Sequence, residues 1–409
     1  MFRGVFFTVF FFAAVSVFAG PWGMPMETLH RDIGVRALGM GGAYTADSRD
    51  ASAYYWNASF LDELTANIFF TSFETLMEGA NAEVLSFAAP LGKNGGIGAG
   101  VEIINFGDYE QVNELGDVEG TESNRDITAA VSYGRNLFSG IKGGMSIKTI
   151  TRKMGAENYT GFNADVGLYR SFGGRFAAGL NIKNIIPTGI MYSESEEDFV
   201  SSARLGLSFK TAEGKLKLNA DVEKYFIDVI PVVCVGAEYR VLDMLYIRTG
   251  LNAAADRNNL SGGIGVEYAG FVFDYAVVAA EEMISHKAAL SYVFGGYELA
   301  VKPEPEVFSP VGGNKKTYLR IKADTKYEIF KWKLEIKNSE GDVVKSWEGA
   351  GAPDDAYTWD GLTRDGLPEK DGIYKAVLTV TDENDTILKS EKSEIKISTM
   401  RERLNPLFD

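Results

Sequence analysis

Cysteine and histidine are almost absent from this chain of 409 residues. Cys234 is the single cysteine, so no internal disulfide can form, and His30 and His286 are the two histidines. One thiol and two imidazoles, with no obvious ligand near them in the sequence, cannot supply a His- or Cys-rich metal site. We therefore expect no metal centre and no cofactor.

Positive charge is also in deficit. The chain has 41 Lys and Arg against 56 Asp and Glu, which gives a net charge of −15. Binding a phosphate backbone requires clustered cations, so nucleic acid is excluded as a partner. The sequence also lacks a G-x-S-x-G elbow, an H-E-x-x-H pair and a Cys-His pairing, and we expect that the protein is not an enzyme.

Proline is scarce, with 11 residues, whereas glycine is abundant, with 45. Phe, Tyr and Trp are frequent as well. Glycine supplies the positive φ angles of tight turns, and aromatic side chains favour pleated surfaces. The composition therefore predicts an all-β protein.

Long apolar runs are confined to the first 20 residues, MFRGVFFTVFFFAAVSVFAG. One cation, Arg3, precedes the apolar stretch, and small residues close it, which is typical of a secretory signal peptide over residues 1–19. No later run approaches the ~20 residues that a spanning helix needs. If the exported protein enters a membrane, it must do so as strands.

Apolar and polar residues alternate in long segments from about residue 67 to residue 294. Phe162, Ala164 and Val166 lie on one face of such a segment, and Asn163 and Asp165 lie on the other. Glycine-rich turns separate neighbouring segments, which indicates antiparallel hairpins. About fourteen segments begin near residues 67, 81, 95, 125, 140, 160, 174, 199, 214, 232, 244, 259, 270 and 285.

A soluble β-sandwich and a transmembrane β-barrel would both show this alternation. Soluble strands usually have ~5–6 residues and tilted membrane strands about 9–11, and the segments here are mostly of the longer kind. The polar face is also rich in charge, which suits a barrel with a polar interior and a lipid-facing exterior. The charged residues are Glu102, Lys142, Lys148, Asp165, Arg204, Lys217, Asp221, Glu238, Arg248, Glu267 and Asp274.

Two glycine clusters resemble phosphate-binding loops but lack their motifs. Gly39, Gly41 and Gly42 follow no predicted strand and precede no Lys-Ser/Thr pair. In the second cluster, glycines alternate with apolar residues along a predicted strand, where they thin the wall or permit a kink. We therefore propose a lateral gap in the wall at three residues of that strand, Gly96, Gly98 and Gly100.

The segment RALGMGGAYTADSRDASAYYWNASFLDEL (36–64) resembles the N-terminal hatch of FadL-like outer-membrane proteins, most closely the PorV/PorQ family. The resemblance implies a fourteen-stranded barrel over residues 67–295, with residues 20–66 folded inside it as a hatch of small helices. In the family the hatch motif continues as Asn-Pro-Ala, whereas this chain has Asn57-Ala58-Ser59. The hatch candidates are Arg36, Gly39, Gly41, Gly42, Asp50, Tyr55 and Asn57.

The remainder of the chain predicts a linker at residues 296–305, an immunoglobulin-like domain at 306–398 and a tail at 399–409. The segment WDGLTRDGLPEKDGIYKAVL (359–378) resembles the FlgD-type Ig-like module, and its Gly, Trp and Tyr residues are explained by hairpin turns and a core. An even number of barrel strands places both chain ends on the periplasmic side, and hence this domain in the periplasm.

The resemblance implies two alternative functions in the bacterial outer membrane. One is passive transport of hydrophobic, fatty-acid-like molecules, for which the partners are membrane lipid and the solute. The other is a PorV-like accessory role in protein secretion or surface attachment, in which the Ig-like domain binds a secretion-machinery, periplasmic or cell-wall partner.

Overall fold

The computed structural model describes residues 27–76, 79–112, 117–192, 195–227, 230–254, 258–279, 284–313, 315–363, 366–383 and 387–399. Two compact units divide the chain, one within residues 1–90 and 95–294 and the other within 91–94 and 295–409. The predicted signal peptide, and the predicted tail apart from Thr399, lie outside the described residues. Within those residues no helix has the length and apolar character needed to cross a membrane.

The described residues of the first unit form sixteen strands. They are β1 (Asn67–Thr75), β2 (Asn81–Pro90), β3 (Gly96–Val112), β4 (Val118–Phe138), β5 (Ile141–Met154), β6 (Glu157–Phe172), β7 (Phe176–Lys183), β8 (Gly189–Met191), β9 (Glu196–Asp198), β10 (Ser202–Lys210), β11 (Leu216–Tyr225), β12 (Val232–Leu242), β13 (Leu245–Ala253), β14 (Asn258–Tyr268), β15 (Phe271–Ala279) and β16 (Ile284–Phe294). Strands β8 and β9 pair only with each other as a short hairpin, and the other fourteen close into a barrel when β1 pairs with β16. The predicted fourteen-stranded antiparallel barrel is confirmed.

The barrel wall has an apolar outer face and a polar inner face, whereas a soluble protein has its apolar residues inside. Large apolar side chains such as Leu205, Leu207 and Phe273 are exposed on the outside. Charged side chains such as Asp165 and Glu223 are buried on the inside. An apolar exterior around a polar interior excludes the β-sandwich and suits contact with hydrocarbon.

Connections at one end of the barrel are shorter on average than those at the other. Both residues of the turn Ser139–Gly140, and both of Ala269–Gly270, have positive φ, as expected of two-residue type I′ hairpins. At the opposite end, residues 184–201 form the longest connection and contain the β8–β9 hairpin. Strands β1 and β16 begin and end the barrel at the first of these ends, which we call the short-turn end.

The N-terminal segment lies inside the barrel. It forms a 3-10 helix (Glu27–His30), α1 (Val35–Gly39), α2 (Ala53–Trp56) and a second 3-10 helix (Ala58–Glu63). Apolar side chains from these elements pack in one buried cluster with inward-facing residues of the wall. These four elements and their connections are called the hatch below.

In the part of the second unit that the structure describes there are nine strands. They are β17 (Leu299–Glu304), β18 (Val307–Phe308), β19 (Thr317–Ala323), β20 (Ile329–Lys337), β21 (Val343–Ala350), β22 (Ala356–Trp359), β23 (Gly372–Asp382), β24 (Ile387–Lys389) and β25 (Ser393–Ile397). They form a three-stranded and a six-stranded sheet that share one apolar core. Trp359 lies in that core against Phe308 and Tyr374, as expected of a structural residue.

The structure corrects the linker predicted at residues 296–305. Most of this segment is strand β17, which pairs with β19 from Leu299 to Glu304. Pro303 is tolerated in this strand because β17 lies at the edge of its sheet with one neighbour, β19.

Candidate functional site: the contact between hatch and barrel wall

Inward-facing glycines bring the hatch backbone directly against the barrel wall. A methyl group on Gly134 or Gly144 would overlap the main chain at Ala58, and one on Gly236 would overlap Met40. The wall glycines at which an added methyl group would come within 3.0 Å of a hatch atom lie on eight strands: Gly96, Gly98, Gly100, Gly134, Gly144, Gly167, Gly179, Gly206, Gly236 and Gly250. At Gly96, Gly134, Gly144, Gly179, Gly236 and Gly250 the nearest hatch atoms belong to the main chain, so the hatch meets the wall there at backbone-to-backbone distance.

The register of the strands aligns several of these glycines in rows. Gly96 pairs with Gly134, Gly134 with Gly144, and Gly144 with Gly167, across four neighbouring strands. Because each strand is inclined to the barrel axis, such a row follows the wall around the lumen. The row provides a smooth strip of main chain on which the second 3-10 helix of the hatch rests.

Wall side chains hold the hatch main chain between residues 41 and 45. The Asp221 carboxylate accepts hydrogen bonds from the backbone N–H groups of Tyr44 (3.1 Å) and Thr45 (2.9 Å). The Asn219 amide donates to the Ala43 carbonyl at 3.0 Å, and the Gly41 N–H donates to Ser261 Oγ at 3.0 Å. The buried backbone N–H and C=O groups of this non-helical segment thus find their hydrogen-bond partners in wall side chains.

A first ionic cluster joins α1 of the hatch to three wall strands. The Arg36 guanidinium donates two hydrogen bonds to the Glu238 carboxylate, at 2.8 and 2.7 Å. Glu238 also accepts from Arg248 at 2.7 Å, and Arg248 donates to Asp274 at 2.5 Å. Bidentate pairs of this kind fix orientation as well as distance.

A second ionic cluster is centred on Arg204, which is almost completely buried. Its guanidinium donates to Asp221 and Glu223 of the wall, each at 3.1 Å, and to Asp32 of the hatch at 3.0 Å. It also donates to the Gly42 carbonyl at 2.6 Å. One wall cation thus satisfies three carboxylates and the hatch backbone, and breaking such a buried set is costly.

The predicted hatch glycines lie at the end of α1 and in the turn after it, and all three contact the wall. Gly41 and Gly42 have φ angles of 66° and 79°, so the turn after α1 needs residues without a side chain. A Cβ on Gly39 would lie 3.6 Å from the Gly263 Cα, and one on Gly41 would collide with the Leu251 main chain. The predicted Arg36 belongs to the first ionic cluster described above.

The remaining hatch candidates shape the hatch itself. Asp50 accepts from the Ser52 backbone N–H at 2.8 Å and from the Tyr44 hydroxyl at 2.5 Å. The Tyr55 ring lies beneath the Lys183 ammonium, 3.6 Å from ring centroid to nitrogen, in a cation–π contact.

Asn57 connects the hatch to the wall although the proline that follows it in the resembling family is absent. Its amide donates to the Thr45 carbonyl at 3.1 Å and to the Leu168 carbonyl of β6 at 3.0 Å. Its side-chain oxygen accepts from the Ser59 N–H at 3.2 Å and so caps the second 3-10 helix.

Gly96, Gly98 and Gly100 lie in a closed part of the wall. Strand β3 pairs with β2 and with β4 at all three residues without a register shift. Leu61 and Tyr54 of the hatch lie directly inside the wall at this point, and a side chain in place of any of the three glycines would collide with one of them. A lateral gap here would therefore require β3 to separate from a neighbouring strand.

The far end of the lumen is covered by the hairpin β8–β9 and the first turn of the hatch. Arg152 donates to Asp126 of the wall and, at 2.9 Å, to Glu197 of the hairpin. His30 of the hatch lies edge-on to Tyr225, and its two ring nitrogens are buried without a hydrogen-bond partner among the described residues. Burial lowers the pKa of His30 to about 4.

A cavity of about 360 Å³ remains between the hatch and the wall at the short-turn end. Its lining includes Arg36 of the hatch, cationic residues of β10–β12 on one flank, and apolar residues of β1, β15 and β16 on the other. The size is within the range of small-molecule sites.

Most wall residues that hold the hatch were not predicted from the sequence. Arg204 and Asp221 were expected on the polar face without a role, and Asn219 and Lys183 were not singled out. The detectable signal was glycine at inward positions of successive strands, as at Gly144 and its neighbours in the register. Inward positions of a barrel strand usually carry a side chain that fills the lumen, so repeated glycine at these positions indicates that something else occupies the space.

The fold and the hatch define a closed β-barrel with an internal plug. No protein-family model and no curated protein matches the chain. Among solved structures, a deltaS2 mutant of the TodX monoaromatic hydrocarbon channel matches at a TM-score of 0.51 and 14% identity, over 64% of this chain and 98% of that one.

Two further solved structures are similar to the same extent. The P. putida toluene transporter TodX matches at a TM-score of 0.50 and 12% identity, over 65% of this chain and 99% of that one. The CymD monoaromatic hydrocarbon channel matches at 0.50 and 13% identity, over 64% and 97%. The chain thus has the FadL-like barrel fold of these channels.

Proposed function

We propose that this protein is an outer-membrane channel for the passive transport of hydrophobic small molecules, and that the hatch is its gate. The observation that carries the proposal is a closed barrel with an apolar exterior and an internal hatch, in the fold of known hydrocarbon channels. The solutes are hydrocarbons or fatty-acid-like molecules.

Transport requires movement of the hatch, because the hatch fills the lumen. Leu61 and Tyr54 occupy the space beside β3, so a lateral exit at Gly98 or Gly100 also depends on prior withdrawal of the hatch. Polar contacts hold the hatch in addition to its apolar packing against the wall, and water can replace the polar contacts as the hatch withdraws.

A disulfide between hatch and wall tests the gate. A Cβ on Gly39 would lie 3.7 Å from the Ala276 Cβ, which is within the range of disulfide geometry. A Cβ on Gly263 would lie 3.5 Å from the same atom, so the pair Gly263→Cys and Ala276→Cys ties wall to wall and serves as a matched control.

Uptake of toluene and of a long-chain fatty acid is measured in liposomes carrying each oxidised protein. We expect Gly39→Cys/Ala276→Cys to lose uptake and to regain it on reduction, while the control keeps it in both states. Unchanged uptake by the oxidised hatch–wall pair would refute the gate. Absence of uptake in the wild-type protein would refute the transport function.

A second candidate function is an accessory role in protein secretion or surface attachment, as in the PorV/PorQ family. Two observations favour it: ion pairs such as Asp32–Arg204 and Arg36–Glu238 join the hatch to the wall, and a second unit with its own core follows the barrel. We propose that this unit is an Ig-like module of the FlgD type, located in the periplasm.

Affinity purification of the full chain and of a chain lacking residues 303–409 distinguishes the two functions. Co-purifying secretion subunits that are lost with the deletion would support the accessory role. A barrel that purifies alone with bound lipid would support transport.

A further inference from the structure

Three cations at the rim of the cavity have no anionic partner. Lys210, Lys215 and Arg240 all line it, and none of them forms an ion pair or a side-chain hydrogen bond within the described part of the chain. They come from adjacent parts of the wall, since the Arg240 N–H donates to the Lys215 carbonyl at 2.8 Å and Lys210 pairs with Lys217. Unpaired cations so close together repel one another, and a bound anion would relieve this.

The other cations of the cavity are neutralised by the hatch or the wall. Lys217 donates to Asp47 at 2.9 Å, and Arg36 and Arg248 share Glu238. The excess positive charge is therefore confined to the three rim residues, although the whole chain carries a net charge of −15. A local cluster of positive charge on a protein with a negative net charge indicates a binding site for an anion.

Arg240 provides the strongest indication of a ligand. Its Nε atom is buried and has no hydrogen-bond partner among the described residues. A buried guanidinium N–H group without an acceptor is costly, and an oxyanion would satisfy it. The two lysines are exposed, so a ligand reaches this rim from solvent.

The opposite flank of the same cavity is apolar. Ile68 and Phe70 of β1 face it together with Val272 and Val293 of the last two strands. A ligand with an oxyanion head and a hydrocarbon chain would satisfy both flanks at once.

We infer that this cavity binds a phosphate monoester at the short-turn end of the barrel, with the phosphate held by Lys215 and Arg240. Three unpaired cations match a dianionic group better than a monovalent carboxylate, and the fork of an arginine suits phosphate oxygens. The phosphate is either the head of a single-chain lipid or part of a water-soluble ester. Binding takes place in the closed barrel and requires no transport.

Isothermal titration of the full chain in detergent micelles tests this site. The probes are inorganic phosphate, lysophosphatidic acid, lysophosphatidylcholine of the same chain length, and palmitate. Arg240→Gln and Lys215→Gln should each weaken binding of lysophosphatidic acid about five-fold. Glu267, a rim carboxylate that accepts from the Tyr246 hydroxyl, opposes an anion, so Glu267→Gln should strengthen binding about three-fold.

Lys153→Gln removes a cation of β5 outside the cavity and should leave binding unchanged. Lys215 lies in an exposed turn, so we expect the Lys215→Gln variant to fold. It therefore provides the test if Arg240→Gln does not fold. Tighter binding of lysophosphatidic acid than of inorganic phosphate supports a lipid ligand, and equal binding supports a soluble ester. Palmitate binding as tightly as lysophosphatidic acid, no saturable binding of either phosphate probe, or equal effects of Glu267→Gln and Arg240→Gln would overturn the inference.

Discussion

Replacing Gly250 by alanine tests whether the hatch rests directly on the barrel wall. The new methyl group would lie 2.7 Å from the Gly41 Cα and still closer to the adjoining backbone atoms of the hatch. Gly262 on the next strand faces outward, and a methyl group there would meet only the Arg248 carbonyl oxygen at 3.9 Å. Gly262→Ala is therefore a control of the same chemistry.

The size of the effect follows from the distances. Ordinary contact begins at 3.4 Å and the nearest hatch atoms, the Gly41 nitrogen and the Met40 carbonyl carbon, would lie at 2.1 Å, so the hatch must retreat by about 1.3 Å from Gly250. The hydrogen bond from Gly41 to Ser261, now 3.0 Å, would then exceed hydrogen-bonding distance. Overpacking costs about 1–3 kcal/mol and the lost hydrogen bond about 1 kcal/mol, which raises the undocked population of the hatch about 30- to 700-fold.

Ion current through planar bilayers and the rate of hatch proteolysis measure that population. We expect both to rise in Gly250→Ala, while the closed barrel ladder keeps the protein folded. Gly262→Ala should match the wild-type protein in both assays. Equal currents and equal proteolysis rates for the two variants would show that the hatch does not press on Gly250, and the backbone-contact argument would fail.

Three further perturbations have defined outcomes. Arg204→Met leaves Asp221 and Glu223 without their cation. Urea unfolding should show that the free energy of unfolding of the barrel unit falls by about 3–5 kcal/mol. A loss below about 1 kcal/mol would contradict the central role of Arg204 in the second ionic cluster. Between pH 6.5 and about 4, His30 takes up a proton when the hatch is released but not when the hatch is docked, because burial lowers its pKa in the docked state. Proteolysis of the hatch should therefore accelerate as the pH falls through this range. The variant His30→Gln should abolish this acceleration. Trp359→Ala should cost the second unit about 3–5 kcal/mol by near-ultraviolet circular dichroism, and an unchanged transition would mean that Trp359 is not a core residue.

The barrel could be predicted because its signal is local. Each strand carries its own alternation, so Phe162 and Asp165 identify their faces without reference to the rest of the chain. Strand number then followed from counting segments between turns. The short hairpin β8–β9 was missed, because three-residue strands carry too little alternation to be recognised.

The hatch contacts could not be predicted because they are distant in sequence. Asp221 binds the main chain at Thr45, 176 residues earlier, and no periodicity links the two. Gly96 and Gly100 showed an unusual pattern, but the sequence alone does not say that their missing side chains make room for Leu61 and Tyr54. The linker was predicted from Pro303 and its charged neighbours, and an edge strand tolerates both.

The glycine rows also determine what kind of force opposes displacement of the hatch. Along the row Gly96, Gly134, Gly144 and Gly167 the wall presents main chain without side chains, so few protruding groups of the wall oppose sliding there. Directional contacts such as those of Asp221 and Arg204 set the resting position instead. Substitutions that alter charge at these anchors should therefore change the rate of displacement more than substitutions that alter apolar bulk elsewhere in the lumen.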